Sequence, residues 1–509
     1  MNRIYSAALL ACLLPFGATS SHADELPFDF EVLQFRAKSL AAKPYASHEK
    51  PVPAALKNLT YDQYRDIRFD PSHAWWSKDK LPFQLRFFHP GFIYSKTVQI
   101  AELADGKATP IPFSTDLFRY GKSVDLDDVP GDVGFTGVKI LTAFNTAEPI
   151  DELAVFQGAS YFRALGKKMR YGLSARGLAI NTGEPGGEEF PIFEEFWVER
   201  PGKNAEQVVV YALLDSPSAA GAYRFTITPG AETIMQVKTA LYFREKNSVK
   251  TLGLAPLTSM FWFGENSASR EGDLRPEVHD SDGLMIQRGS GEWLWRPLTN
   301  PKGIRIAAFA DENPKGFGLV QRDRAFESYQ DLEAEYNLRA SAWVEPIGHW
   351  GRGSIRLVEL PTPDETNDNI VAFWTPEVLP PAGLPLVFEY KLHWFMEGTT
   401  DQQRPPSGYV VATREGFSKT HEPELRRFWV DFDGQYLHNT SDSKIEAVIT
   451  VGEGASLEYQ AIQKNPYNGT WRASFAIKPD GSGKPVELRC FLKREPHILT
   501  ETWSHLWNP

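Results

Sequence analysis

Short apolar runs, each closed within a few residues by glycine, proline, aspartate or serine, dominate this chain and restrict it to β-structure. Gln207-Val-Val-Val-Tyr-Ala-Leu-Leu214, Tyr223-Arg-Phe-Thr-Ile-Thr228 and Ile355-Arg-Leu-Val-Glu-Leu360 are typical: strand-length, rich in β-branched and aromatic residues, and bounded by turn formers. Helical spacing is confined to short pieces, Leu56 to Tyr64 and Phe326 to Tyr336. Many short strands with no repeat of fixed period predict an all-β chain, a sandwich or a related architecture. At 509 residues the chain exceeds what one core ordinarily serves, so two domains are expected. The polar, Pro/Gly-rich stretch 396–408 lacks periodicity and marks the boundary. Beyond it, Trp471, Ala473, Phe475 and Ile477 share one strand face, and the remaining hundred or so residues suit a small immunoglobulin-like sandwich.

The first residues read as a secretory signal over 1–23. Asn2 and Arg3 form a short basic start, Ile4 to Phe16 an apolar core, and Ser21-His-Ala23 a small-residue cleavage site before Asp24. Leu9-Leu-Ala-Cys12 is a poor lipoprotein box, because it comes early and apolar residues follow it. The leader holds no arginine pair, so export through the general secretory route to the periplasm is expected. Loss of Arg3 with the leader takes the net charge from −11 to −12, and loss of Cys12 leaves Cys490 alone. A single cysteine makes no intramolecular disulfide, and its place in the alternating run Val486, Leu488, Cys490, Leu492 predicts a buried packing thiol. The acidic balance argues against nucleic acid as a partner.

Chemistry is concentrated in two acidic places. In Leu360-Pro-Thr-Pro-Asp-Glu-Thr-Asn-Asp-Asn369, the carboxylates Asp364, Glu365 and Asp368 fall within five residues and lead into an apolar run ending at Trp374. Such a cluster is either a solvated turn or a carboxylate site at the lip of a strand. Paired carboxylates beside aromatics suit glycosidic-bond hydrolysis, where one acid protonates the leaving oxygen and a second carboxylate activates water or attacks carbon. The other place is His279-Asp-Ser-Asp-Gly283, where Asp282-Gly283 reads as a turn and leaves Asp280 free for another task. The histidines are scattered, with no paired-ligand spacing, so no metal is expected. Gly172-Leu-Ser-Ala-Arg-Gly177 is one residue too long for a nucleophile elbow, and no phosphate or dinucleotide fingerprint occurs.

A set of segments in fixed order carries a further signal. These include Gly158-Ala-Ser-Tyr-Phe-Arg-Ala-Leu-Gly166, Tyr171-Gly-Leu-Ser-Ala-Arg-Gly-Leu-Ala179, Glu188-Glu-Phe-Pro191 and Phe196-Trp-Val-Glu-Arg-Pro201. Pro276-Glu-Val-His-Asp-Ser281, Gly291-Glu-Trp-Leu-Trp-Arg-Pro297 and Asp364-Glu-Thr-Asn-Asp-Asn369 complete it. The set resembles the periplasmic osmoregulated-glucan biosynthesis family over nearly the whole mature chain, and the missing arginine pair favours its G type. The resemblance implies a large N-terminal β-sandwich domain over 24–395, the linker 396–408, and an immunoglobulin-like C-terminal domain over 409–509. It implies endo-hydrolysis of linear β-1,2-glucan, with Asp368 as general acid, Asp280 as general base and Glu365 beside the acid. Such an acid needs a raised pKa, and Glu365 is placed in the sequence to supply the repulsion. Tyr161, Arg163 and Tyr171, in the most family-like segment, are expected sugar contacts.

Trp293 and Trp295 share a face if their segment is a strand. With Trp343 and Trp374 they are either core residues or sugar platforms, and they are carried as candidate substrate contacts. No cofactor is implied. The implied partners are β-1,2-glucan and a membrane glucan glucosyltransferase. The rival reading is a non-catalytic glucan-binding factor that receives the nascent chain from that transferase and assists branching or release.

Overall fold

The computed structural model describes residues 27–47, 52–122, 124, 129–267, 272–396, 405–417, 419–440 and 445–509. The secretory signal and most of the expected linker lie outside the described residues. The chain is all-β. Among the described residues, a ten-stranded and a 15-stranded sheet lie face to face, and a four-stranded sheet completes a second, smaller sandwich.

Strand alternation builds the first core. In Phe83–Phe88, Phe83, Leu85 and Phe87 point inward while Arg86 and Phe88 face out. Phe156, Phe162 and Phe225 meet at ring separations of 5.1–5.6 Å between the two large sheets. Val208–Asp215 does not alternate, because it is buried on both faces. Its second face is covered by an amphipathic helix, Phe30–Ala41, through Phe30, Leu33, Ala37 and Ala41. Asp29 caps that helix, accepting the Val32 N–H at 2.9 Å. The strand signals predict neither helix nor cover, although the i, i+3, i+7 apolar spacing from Phe30 was there to read.

The helical spacing expected over Phe326 to Tyr336 is not realised. Two 3₁₀ turns, Phe326–Ser328 and Tyr336–Leu338, flank irregular chain in which Asp331 accepts the Glu333 and Ala334 N–H groups. The competing side-chain bonds of an aspartate displace the helix here. The Asp282-Gly283 turn is also absent. Gly283 begins the strand Gly283–Gln287, and a Cβ there would lie 2.1 Å from the Trp295 ring. Close approach of the indole, not a turn, requires the glycine.

The C-terminal strands are continuous with the large sheet. Thr502–Trp507 pairs in parallel with Trp293–Pro297, matching Leu294 to Thr502 and Trp295 to Trp503. Phe428, Phe475, Cys490 and Trp503 fill the second core together with Met285, Trp295 and Trp343 from the N-terminal side. Arg296 spans the junction to Glu487 at 2.7 and 3.1 Å, and Arg322 spans it to Glu501 at 2.6 and 3.1 Å. Cys490 is fully buried, and burial pushes its thiol pKa up.

Candidate active site

The two acidic segments converge on one strand. Leu252–Ser259 ends in the ten-stranded sheet, and its last carbonyl, Ser259, accepts the backbone N–H of Asn369 at 3.0 Å. The next carbonyl, Met260, accepts the N–H of Asp280 at 2.8 Å. The Asn369 side chain locks the arrangement. It accepts from Phe261 N–H at 2.8 Å and donates to the Phe261 and Leu360 carbonyls at 3.0 Å each. Ser281 Oγ meets Ser259 Oγ at 2.9 Å. Asp280 and Asp368, 88 residues apart in sequence, thus flank bonds to consecutive carbonyls.

The three acids of the first loop have separate fates. Asp364 closes its own turn, accepting Thr366 N–H at 2.9 Å and Thr366 Oγ1–H at 2.5 Å, and those bonds hold its pKa below the ordinary value. Glu365 pairs with Arg275 at 2.6 Å and accepts from the Tyr336 hydroxyl at 3.2 Å. Asp368 faces the other acid. Protein surroundings strip water from its carboxyl and raise its pKa, and the Asp280 carboxylate raises it further, against Arg163, Arg339 and Arg176. The side chain is nevertheless exposed. Both hold together when neighbouring atoms exclude most of the water around a carboxyl that stays open on one side. The repulsion expected from Glu365 is supplied chiefly by Asp280, because Arg275 engages Glu365.

Asp280 is 4 % exposed and ion-paired with Arg339. Arg339 lies over the Tyr336 ring at 4.1 Å and donates from Nε to the Ala334 carbonyl at 3.1 Å. Sequence reasoning missed this arginine, which directly follows the 3₁₀ turn Tyr336–Leu338, just beyond the segment read as helical. Its trace lay in Gly172, where a Cβ would stand 2.9 Å from the Cβ of Arg339. Arg176, 2 % exposed, was also missed. It pairs with Glu188 at 2.5 Å, and its cation sits 5.2 Å from the Tyr161 ring centre.

Two of the expected sugar contacts reach this place. Tyr161 stands opposite Arg176 across the strands, and the charge of Asp368 is felt at its hydroxyl. Arg163 donates to Ser174 Oγ at 2.6 Å and acts on Asp368. Tyr171 lies farther along the sheet against Glu152, still within reach of Arg163.

The tryptophans are core. Trp374 is fully buried between the large sheets, and Trp295 and Trp343 are buried at the junction with the C-terminal strands. Trp293 stacks on Trp343 at 5.7 Å beside them. Their apolar area is worth more against neighbouring side chains than on a groove floor. Trp262 is the indole near the acids. With Arg275 and Asp331 it lines a groove of about 720 Å³ beside Glu365. Trp374→Ala should therefore cost about 3–5 kcal/mol of stability in urea unfolding, the cost of a large core truncation. A loss within about 0.5 kcal/mol, the range of surface changes, would return Trp374 to the surface.

Fold and site together define a β-sandwich protein whose paired aspartates are held on one strand end and surrounded by arginines and tyrosines. The description "Periplasmic glucan biosynthesis protein, MdoG" matches residues 28–507, and the chain belongs to that family. It is 48% identical over 501 residues to a glucans biosynthesis protein G of Ralstonia nicotianae, covering 97% of this chain and 98% of that one. It is 45% identical to a protein of the same name from Rhodopseudomonas palustris over the full length of both chains. To that of Pseudomonas aeruginosa it is 44% identical, covering 94% of this chain and 92% of the other. No helix among the described residues is long and apolar enough to cross a membrane.

Proposed function

We propose that this protein is a periplasmic endo-β-1,2-glucanase that hydrolyses the linear backbone of osmoregulated glucans with inversion. The observation that carries the reading is the unequal treatment of two neighbouring carboxyls. Asp368 is desolvated and faces a like charge, so its pKa is raised and it gives up its proton less readily than an ordinary aspartate, while Asp280 is committed to an ion pair with Arg339. Asp368 protonates the glycosidic oxygen and Asp280 takes the proton of the attacking water, directly or through a relay. Tyr161 and Arg163 bind the chain beside Asp368, and Trp262 offers the ring face that the buried indoles do not. Tyr336 joins Glu365 to the Arg339 side of the site and is the first residue of a relay.

Incubation of the mature protein with linear β-1,2-glucan tests this. Shorter oligosaccharides should appear, with the new reducing end first in the α-anomer by proton NMR. An initial β-anomer overturns the assignment of roles. The basic limb of the pH–rate profile should belong to Asp368 and lie above the ordinary aspartate range. Arg163 favours the ionised form, so Arg163→Gln should move that limb to higher pH. A downward shift contradicts the placement.

One observation favours the second reading, a glucan-binding factor that works with a membrane glucosyltransferase. Asp280 is buried and clamped by Arg339, so in this conformation the base is closed to water. Oligosaccharide binding without any cleavage would decide for it.

A further inference from the structure

Beside the short strand Val278–His279, where the second sandwich meets the first, lies a small space of about 30 Å³, room for one ion or water. Glu265, Glu277, His279, Asp282 and Asp323 line it, and Val410 to Thr413 of the C-terminal region close it. His279 lines this space, whereas Asp280, just past the two-residue strand Val278–His279, pairs with Arg339 outside it, so the space is distinct from the candidate active site.

The imidazole of His279 is fully buried and its tautomer is fixed by its neighbours. Gln321 Nε2 donates to the His279 carbonyl at 3.0 Å, which turns Gln321 Oε1 toward His279 Nδ1 at 2.8 Å. Nδ1 must then carry the hydrogen. Nε2 is left with its lone pair 3.0 Å from Glu277 Oε2, an acceptor against an acceptor. Something positive belongs there, a proton or a metal ion.

Three features favour the ion. Ligand atoms of Glu277, His279 and Asp323 all lie within 4.8 Å of one another. Atoms bound about 2.1 Å from one ion stand roughly 3.0–4.2 Å apart, so the Nε2–Oε2 spacing already fits neighbouring ligands and Asp323 needs a small movement. Asp282 uses Oδ2 to accept the Arg322 and Asp323 N–H groups at 2.8 and 3.1 Å, whereas its Oδ1 is buried and has no hydrogen-bond partner among the described residues. One proton between His279 and Glu277 would leave that oxygen unanswered. The nearby cations leave Glu277, His279 and Asp282 Oδ1 unanswered: Arg322 forks onto Glu501, and Arg414 is shared between Glu265 in the wall of the space and Asp431.

We propose that Glu277, His279 and Asp323, with Asp282 behind them, bind a divalent transition-metal cation that fastens the C-terminal strands to the N-terminal sandwich. One imidazole among carboxylates suits Zn²⁺ or Mn²⁺ better than Ca²⁺, which takes oxygen ligands. The histidine spacing in the sequence does not reveal the set, because its members come from two segments more than forty residues apart. Glu265 accepts the Thr413 N–H at 2.5 Å in the wall of the same space, which ties the ion's surroundings to the junction.

The test uses the whole mature chain, treated with EDTA and titrated with ZnCl₂ or MnCl₂ by calorimetry, with bound metal counted by mass spectrometry. The expected result is one equivalent of one of these ions and a rise in Tm of about 2 °C or more at saturation. Asp323→Asn and Glu277→Gln should each weaken binding by about tenfold or more. Both keep side-chain volume, and circular dichroism of the metal-free variants separates a lost site from a lost fold. If one variant does not fold, the other carries the comparison. Absence of stoichiometric uptake of either ion overturns the proposal and assigns the position to a proton. Uptake unchanged in the folded variants overturns it as well, placing the ion on surface residues.

Discussion

Asp368→Asn should reduce cleavage of linear β-1,2-glucan by about 10²–10⁴-fold, the usual contribution of a general acid, while oligosaccharide binding persists. The amide keeps the shape of the side chain and cannot donate the proton the leaving oxygen needs. Stability should not fall with activity, and the sign follows from the raised pKa. Below the unfolded value, near 3.8, the carboxyl is neutral in both states and burial costs it little. As pH rises from there toward the raised folded value, the unfolded chain ionises more readily and wild-type stability declines. Asparagine has no such decline, so at neutral pH the variant should be as stable as wild type or more so in urea unfolding. Turnover close to wild type in Asp368→Asn would remove this residue from the mechanism. If wild type does not cleave either, the binding reading takes its place.

Reading the sequence reached the two aspartates but not the groups that control them. Both lie in compact motifs, Asp364 to Asn369 and His279 to Ser281, so a resemblance carried by those motifs brings them along. Their partners are set by tertiary contact. Arg339 and Arg275 approach from irregular chain, where side-chain bonds to Asp331 and Asp273 replace any periodic pattern. The exchange of roles between Glu365 and Asp280 has the same origin. Adjacency in sequence suggested that Glu365 would repel the acid, whereas Arg275 draws it away and the hydrogen bonds to Ser259 and Met260 bring Asp280 in.

Strand alternation was legible for the same reason that the tryptophans were not. Period two tells which residues share a face, and Val486, Leu488, Cys490 and Leu492 are indeed all buried. It does not tell whether that face meets solvent, a second sheet or a neighbouring domain. Trp293 and Trp295 sit on a face that the C-terminal strands cover, so a pattern equally suited to a groove belongs to a junction. The helix over Val208–Asp215 hides a second face in the same way.

Arg339→Gln should cost about 3–5 kcal/mol of stability, because it strands the Asp280 carboxylate in a place with little water. The loss should exceed what the single hydrogen bond to Ala334 is worth, about 1 kcal/mol. Adding Asp280→Asn removes the stranded charge, so the double variant should regain much of the stability while remaining inactive for want of a base. That recovery separates the ion pair from a general packing defect at Arg339, which a second substitution would not repair. Arg339 also favours the ionised form of Asp368, so its removal should strengthen the acid's hold on its proton, as Arg163→Gln does. One arginine thereby acts on both carboxyls, pairing with the base and making the acid easier to ionise. A pair of single variants as stable as wild type, with no coupling in the double, would mean that Asp280 is reached by water and needs no counter-ion. The base would then be open in the resting protein, and the observation that favours a binding factor over an enzyme would lose its force.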